Sequence, residues 1–173
     1  TNQDRQALGI RGDSPAVRHH VIPIATDTST RCAVKRSRPF RVTFLGGMHW
    51  PPNAEGISWF AERVWPRVTR ALPSALLTLI GKGAPRKLSR QGLGSRFQVT
   101  GYVGSLEPYL SETAAFIVPL RSGAGMRVKI LDAWSWGLPV VSTSLGVEGI
   151  SVTHGENLMI ADDEESFADC LIQ

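Results

Sequence analysis

The chain reads as an open, doubly wound α/β domain built on a parallel sheet of about six strands. Three observations carry that reading. Short, β-branched apolar runs recur from Phe40 onward; most of them close on glycine, proline or another turn former; and helix-length segments lie between them. Strands buried on both faces of a parallel sheet read as unbroken apolar runs. Strands that alternate with helices build right-handed βαβ units.

Taken in order, residues 40–45 form the first strand and end at Gly46-Gly47. Asn53 is a suitable N-cap for the helix that follows, where Ile57, Phe60, Ala61, Val64 and Trp65 repeat at helical spacing. Pro66 is expected to kink or shorten that helix. Residues 76–80 are the second strand, closing on Gly81-Lys82-Gly83, and 85–91 a helix. Residues 97–100 are the third strand, closing on Gly101, and 107–113 a helix. The fourth strand, 114–118, ends at Pro119, and helix 126–136 follows. Residues 138–142 and 157–160 supply the last two strands, and 164–171 the last helix.

Residues 1–38 fall outside this rhythm and read as a linker plus the tail of a preceding N-terminal domain, with residues 17–25 as one extended strand; residues 39–173 are the folded unit. Gln173 falls inside a helical pattern, so both ends read as cuts in a longer polypeptide. Residues 1–39 hold seven Lys/Arg and three Asp, which accounts for the whole net charge of +4. The remainder holds 12 basic and 12 acidic residues. A nucleic-acid face needs a surplus or a cationic stripe on the folded body, so no nucleic-acid partner is expected and Lys35-Arg36-Ser37-Arg38 reads as solvated linker. The two cysteines, Cys32 and Cys170, form neither a CxxC nor a disulfide framework, and the expectation is a reducing, cytoplasmic setting. No run is long and apolar enough for a membrane span. His19, His20 and His154 have no partners that suggest a metal and are read as structural.

In an open α/β sheet, ligands bind outside the carboxyl ends of the strands. Glycine turns gather there: Gly46-Gly47, Gly81-Lys82-Gly83, Gly101-Tyr102-Val103-Gly104, and Ser122-Gly123-Ala124-Gly125, which runs directly into a helix. A glycine turn that opens a helix offers free N–H groups and the positive end of the helix dipole to an anion. Arg127 and Lys129 add two cations in the first turns of that helix, an arrangement that suits a diphosphate. Asp132, one turn beyond Lys129, is an acceptor of the kind that holds ribose hydroxyls. The i, i+3 spacing of Lys129 and Asp132 also fits a surface ion pair. His49 lies in the first-strand turn, where a substrate contact and a plain turn residue are both open readings. Trp134 and Trp136 are read as core or interface packing.

The segment Pro119-Leu120-Arg121-Ser122-Gly123-Ala124-Gly125-Met126-Arg127-Val128-Lys129-Ile130-Leu131-Asp132-Ala133-Trp134-Ser135-Trp136-Gly137-Leu138-Pro139-Val140-Val141-Ser142-Thr143 resembles the donor-site block of family 4 (group 1) glycosyltransferases, P-L-x-x-G-x-G-x-R-x-K-I-L-E-A-x-A-x-G-x-P-V-V-S-T. The stretches 44–53, 79–85, 99–103 and 146–149 are similar to the same family in order and register, and 21–28 resembles its interdomain connection. The resemblance implies the Rossmann-like C-terminal half of a two-domain GT-B enzyme. Such an enzyme moves a hexose-type sugar from a nucleoside diphosphate donor, of UDP or GDP type, to a hydroxyl, with retention and without a metal or other cofactor. The half seen here would hold the donor and be inactive alone. A lipid-linked or polysaccharide acceptor would belong to the missing N-terminal domain, and a peripheral place at the inner face of the membrane is compatible with that.

The same resemblance implies roles for individual residues. Arg127 and Lys129 would neutralise the diphosphate, and the backbone amides of Gly123, Ala124, Gly125 and Met126, beside Ser122, would meet the diphosphate and sugar. Asp132 would bind the ribose, Tyr102 and Val103 would flank the base with Gly101 as the turn, and Gly46, Gly47, His49 and Gly81 would lie along the donor. Two departures from the family pattern stand out. Ala124 replaces a glutamate that many members carry eight residues before the ribose acceptor, and Asp132 is one methylene shorter than the usual glutamate. A non-catalytic nucleotide-binding module therefore stays open. Nucleotide-sugar 2-epimerases share the fold, but the carboxylates and histidines they place about the sugar have no evident counterpart here. A receiver-type signalling domain needs acidic strand ends, where this sequence has glycine.

Overall fold

The structure, a computed structural model of the chain, describes residue 6 and residues 24–26, 40–90 and 96–173. Six parallel strands form one sheet: β1 (Arg41–Leu45), β2 (Leu76–Ile80), β3 (Phe97–Gly101), β4 (Ala115–Val118), β5 (Val140–Ser142) and β6 (Met159–Ile160). Their order is β3-β2-β1-β4-β5-β6. In register, Phe44 lies beside Leu79 on one side of β1, and Val42 lies beside Ala115 on the other. The chain winds outward from β1 to β3, crosses back to β4 and winds outward again. The topological switch point is therefore between β1 and β4, where the first crossovers on either side diverge and leave a crevice.

The apolar runs do what unbroken runs predict, because alternate residues feed different faces. In β4, Ala115 and Ile117 join the core on one face while Phe116 and Val118 join the core on the other. The first core packs Val42, Phe44, Leu77 and Leu79 against helices α1 (Pro51–Trp59), α2 (Trp65–Ala71) and α6 (Glu164–Ile172). Its centre is aromatic: Phe167 meets Trp59 and Phe60 edge-on, each at 5.7 Å between ring centroids. Such pairs add about 0.5–1.5 kcal/mol each beyond their buried area. The second core packs Phe116, Val118 and Val140 against Ile130, Ala133 and Trp136 of the segment built on helix α5 (Val128–Ser135). Trp136 is buried there, and Trp134 packs against the same core while its indole N–H donates to the Asn157 carbonyl, so both tryptophans serve packing. Two short helices complete the set, α3 (Arg86–Arg90) and α4 (Glu107–Leu110).

Several sequence expectations are corrected. The first helix begins two residues before Asn53, with Trp50 at the N-cap position. Proline at the start of a helix needs no N–H, so Pro51-Pro52 can open it directly. Pro66 does not end the helix. A π-helical turn, Phe60–Val64, precedes it, and the Trp65 N–H reaches back to the Phe60 carbonyl. That shift in hydrogen-bond register lets the helix run on through the proline to Ala71. β3 is an edge strand with Gln98 and Val99 exposed, not a strand buried on both faces. His154 is structural, its Nδ1 accepting from the Ile160 N–H at 2.9 Å. The thiol of Cys170 is free and half-buried. Of the expected extended strand at 17–25, residues 24 and 25 are irregular and the rest lies outside the described residues, as do Cys32, His19, His20 and the basic run 35–38. Among the described residues no helix is long and apolar enough to cross a membrane.

Candidate functional site

Three glycine turns meet above the carboxyl ends of β1, β2 and β3. The Gly46 N–H donates to the Ile80 carbonyl, the Gly81 N–H to the Gly101 carbonyl, both at 2.9 Å, and the Met48 N–H to the Lys82 carbonyl at 2.7 Å. Gly81 has φ of +141°, and a Cβ there would collide with the Gly46 carbonyl oxygen. Only glycine allows both the backbone angle and the approach.

These turns enclose a cleft of about 530 Å³. Gly46, Gly47, His49, Gly81, Gly101, Tyr102 and Val103 all line it, so seven of the residues read from sequence come together. Lys82, which the sequence reading passed over as part of a turn, lines it too, its Nζ 5.4 Å from the centroid of the Tyr102 ring. Tyr102 is 77% exposed, an aromatic face open at the mouth. The cleft has the size of a small-molecule site, and its walls combine backbone polar groups, one cation and aromatic surface.

The remaining predicted residues lie across β1, on the loop from Ser122 to Arg127 and on α5, and do not line this cleft. Ser122 is occupied locally, its hydroxyl donating to Glu55 Oε2 at 2.5 Å. Ala124 and Gly125 are exposed, Gly123 sits against Pro52 and the Trp50 ring, and Met126 is half-buried. Among the described residues, no backbone carbonyl accepts from the N–H groups of residues 123–126.

Arg127 is not in the first turn of α5 but at its N-cap position, with φ −92° and ψ 81°. The side chain is 5% exposed and folds over its own loop. Its Nη1 donates to the carbonyls of Ala124, at 2.6 Å, and Gly125, and its guanidinium stands 5.6 Å from the Trp50 ring. Its Nε and Nη2 are buried without a hydrogen-bond partner. Burial pushes its pKa down, and the charge of Glu148 works against that.

Lys129 does not line the cleft either, but its ammonium reaches the Gly46 turn that does. Its Nζ donates to Asn53 Oδ1 at 3.0 Å and lies 4.7 Å from the centroid of the Phe44 ring. A Cβ on Gly46 would stand 2.8 Å from that Nζ. Burial, and then the neighbouring charge of Arg127, lowers the Lys129 pKa from 10.5 to about 8. No ion pair joins Lys129 to Asp132, because the ammonium turns to Asn53 instead. Asp132 is half-buried, and it does not line the cleft. Asn53 is thus a member of the site that sequence reading placed in a helix cap.

The zero net charge of the folded body conceals a division. Between Glu62 and Glu107 the chain has eight Lys/Arg and no Asp or Glu, whereas residues 107–173 have three Lys/Arg and ten Asp/Glu. Arg63, Arg67, Arg70, Lys82, Arg86, Lys87 and Arg96 are exposed, and of these Lys82 lines the cleft.

The fold and the site together define a doubly wound α/β domain with a glycine-walled cleft over the carboxyl ends of β1, β2 and β3. The family model "Glycosyl transferases group 1" matches residues 39–173, and the chain belongs to that family. It is 34% identical over 139 residues to an uncharacterised 44.6 kDa protein in the cps region of Klebsiella pneumoniae, covering 76% of this chain and 36% of that protein. The chain spans about a third of the length of the curated relatives it matches. Among solved structures it superposes on the C-terminal domain of the group 1 family protein LpcC from Francisella tularensis with a TM-score of 0.67 at 16% identity, covering 85% of this chain and 86% of that one. It also superposes on HepE from Anabaena, solved with UDP and glucose, with a TM-score of 0.59 at 17% identity, covering 98% of this chain and 40% of that one. At these identities the structural likeness speaks for the GT-B Rossmann-like fold.

Proposed function

We propose that this chain is the donor-binding part of a glycosyltransferase that moves a hexose-type sugar from a nucleoside diphosphate to a hydroxyl, with retention of configuration and without a bound metal. The observation that carries the proposal is the set of unanswered donors beside the cleft. Two buried N–H positions of Arg127 lack partners, and the N–H groups of residues 123–126, in the loop before α5, have no backbone acceptor among the described residues. A buried donor without a partner costs about 1–3 kcal/mol. An anionic ligand with several oxygens removes that cost. The family assignment and the UDP complex of HepE support a nucleoside diphosphate in that role.

On this reading the base lies against Tyr102 and Val103, the sugar-diphosphate runs past Gly46, Gly47, His49 and Gly81, and Asp132 accepts from the ribose. In the reaction, the bond from the anomeric carbon to the diphosphate oxygen breaks as the acceptor oxygen bonds that carbon and loses its proton. Negative charge grows on the departing diphosphate. Arg127, Lys129 and the N–H groups at the head of α5 are fixed there in advance, which is the source of rate acceleration in sites of this kind. The acceptor, lipid-linked or polysaccharide, is held by a separate N-terminal domain.

Ligand-observed NMR of the chain against UDP, GDP, ADP and CMP tests this, repeated with Arg127→Ala and Asp132→Ala. One nucleoside diphosphate should bind selectively and lose affinity in both variants. Equal binding of CMP and the diphosphates, or binding unaffected by either substitution, would overturn the reading.

A further inference from the structure

Asn53 is 5% exposed and both ends of its amide are used. Nδ2 donates to the Gly47 carbonyl at 2.9 Å, and Oδ1 accepts from Lys129 Nζ at 3.0 Å. The residue therefore ties the first glycine turn to an ammonium that arrives from 76 residues away in sequence. Gly46 closes the arrangement, since a Cβ there would stand 2.8 Å from Asn53 Nδ2 and from Lys129 Nζ alike. We propose that Asn53 is a positioning residue that sets where the Lys129 ammonium stands beside the Gly46 turn of the cleft and that acts on the ligand only through that lysine. The ligand side of this proposal rests on the nucleotide-binding reading above; the placement of Lys129 does not.

The argument is one of geometry and charge. A lysine has four rotatable bonds, and its ammonium would otherwise extend to water. Here the Phe44 ring takes one side of it and a neutral amide oxygen the other. A neutral acceptor fixes the position of the ammonium without cancelling its charge, whereas a carboxylate would neutralise it and compete with an anionic ligand. The titratable groups on the elements about it are Arg127 and Asp132 on the α5 segment, Glu55 on α1, and His49 on the β1 turn. Glu55 is engaged by Ser122, and it is the charge of Arg127 that acts on Lys129. This leaves Asn53 as the group that holds the ammonium by a hydrogen bond.

Two measurements on the whole chain test the proposal. The first needs no ligand: NMR titration of the Lys129 ε-methylene in wild type, Asn53→Ala and Asn53→Asp, with amide spectra to confirm the native fold. Loss of the acceptor should lower the Lys129 midpoint, and a carboxylate in its place should raise it by roughly one pH unit or more. Midpoints unmoved in both folded variants would overturn the proposal. The second is UDP affinity in a double-mutant cycle. Asn53→Ala should weaken UDP binding roughly tenfold in wild type, the scale of one charged hydrogen bond, and should have no effect in a Lys129→Met background. Equal losses in both backgrounds would show that Asn53 does not act through Lys129 and would also overturn it. A wild-type chain that binds no UDP would count against the nucleotide reading alone, and the titration would still decide the role of Asn53.

Discussion

Replacing Lys129 with methionine should make the fold more stable at neutral pH while weakening nucleotide binding. The lowering of its pKa from 10.5 to about 8 means that the folded chain holds this ammonium at a cost. At about 1.4 kcal/mol per pH unit the cost reaches about 3 kcal/mol at pH 7. Methionine fills similar volume, and its thioether packs well against an aromatic ring such as Phe44. Against that stands the lost bond to buried Asn53 Oδ1, about 1–2 kcal/mol, so a net gain of about 1–2 kcal/mol is expected at pH 7. The sign of the pH dependence is the sharper test. Between about 8 and 10.5 the unfolded chain keeps this proton and the folded chain has released it, so wild-type stability rises with pH across that window. The methionine variant lacks this rise, and its advantage should shrink steadily from pH 7 to pH 10. Urea denaturation of both proteins at pH 7, 8.5 and 10 reads this directly, because every other titrating group cancels in the difference. A stability difference that stays flat with pH would refute the reasoning. In the same wild-type protein UDP affinity should fall above pH 8, by at most about tenfold per unit, since the anion requires the ammonium form.

Two further outcomes follow from the fold. Gly81→Ala forces a side chain onto a left-handed backbone and into the Gly46 carbonyl; urea denaturation should show a loss of about 2–5 kcal/mol, and a loss near zero would mean that the glycine turns do not touch as described. Asp163 caps α6 by accepting from the N–H groups of Glu165 and Ser166 at 3.0 and 2.9 Å, and its bonds to Ser166 hold its pKa below 3.8. Its contribution is therefore present above pH 3.8 and lost as pH falls through the lower folded value. Asp163→Ala should lower the melting temperature at pH 7, and the gap from wild type should narrow in acid; a gap independent of pH would contradict the capping role.

Much of the architecture is legible locally. Apolar runs such as 40–45 and 76–80 announce buried strands because each residue meets a core on one face or the other. Glycine turns announce close backbone approaches, and the ones at Gly46, Gly81 and Gly101 are the ones that touch. The misreadings have a common physical cause. Asn53 has the chemistry of a cap, but Pro51 and Pro52 start the helix before it, which releases its amide for a distant partner. Arg127 reads as a first-turn cation, but it stands at the N-cap position of α5 and its Nη1 turns back to the carbonyls of Ala124 and Gly125. Summed charge hid the separation of a basic 63–106 segment from an acidic 107–173 segment, because a total carries no positions.

By itself, then, the sequence determined the parallel α/β class, the strand positions, and the family to which residues 39–173 belong, since these depend on local periodicity and on a long ordered motif. Only the tertiary structure decided the strand order with its switch between β1 and β4, the separation of the 122–132 segment from the cleft over β1–β3, and the meeting of Lys129 with Asn53. Those depend on contacts between residues far apart in the chain, and such contacts are chosen by how the whole core packs, not by any one segment.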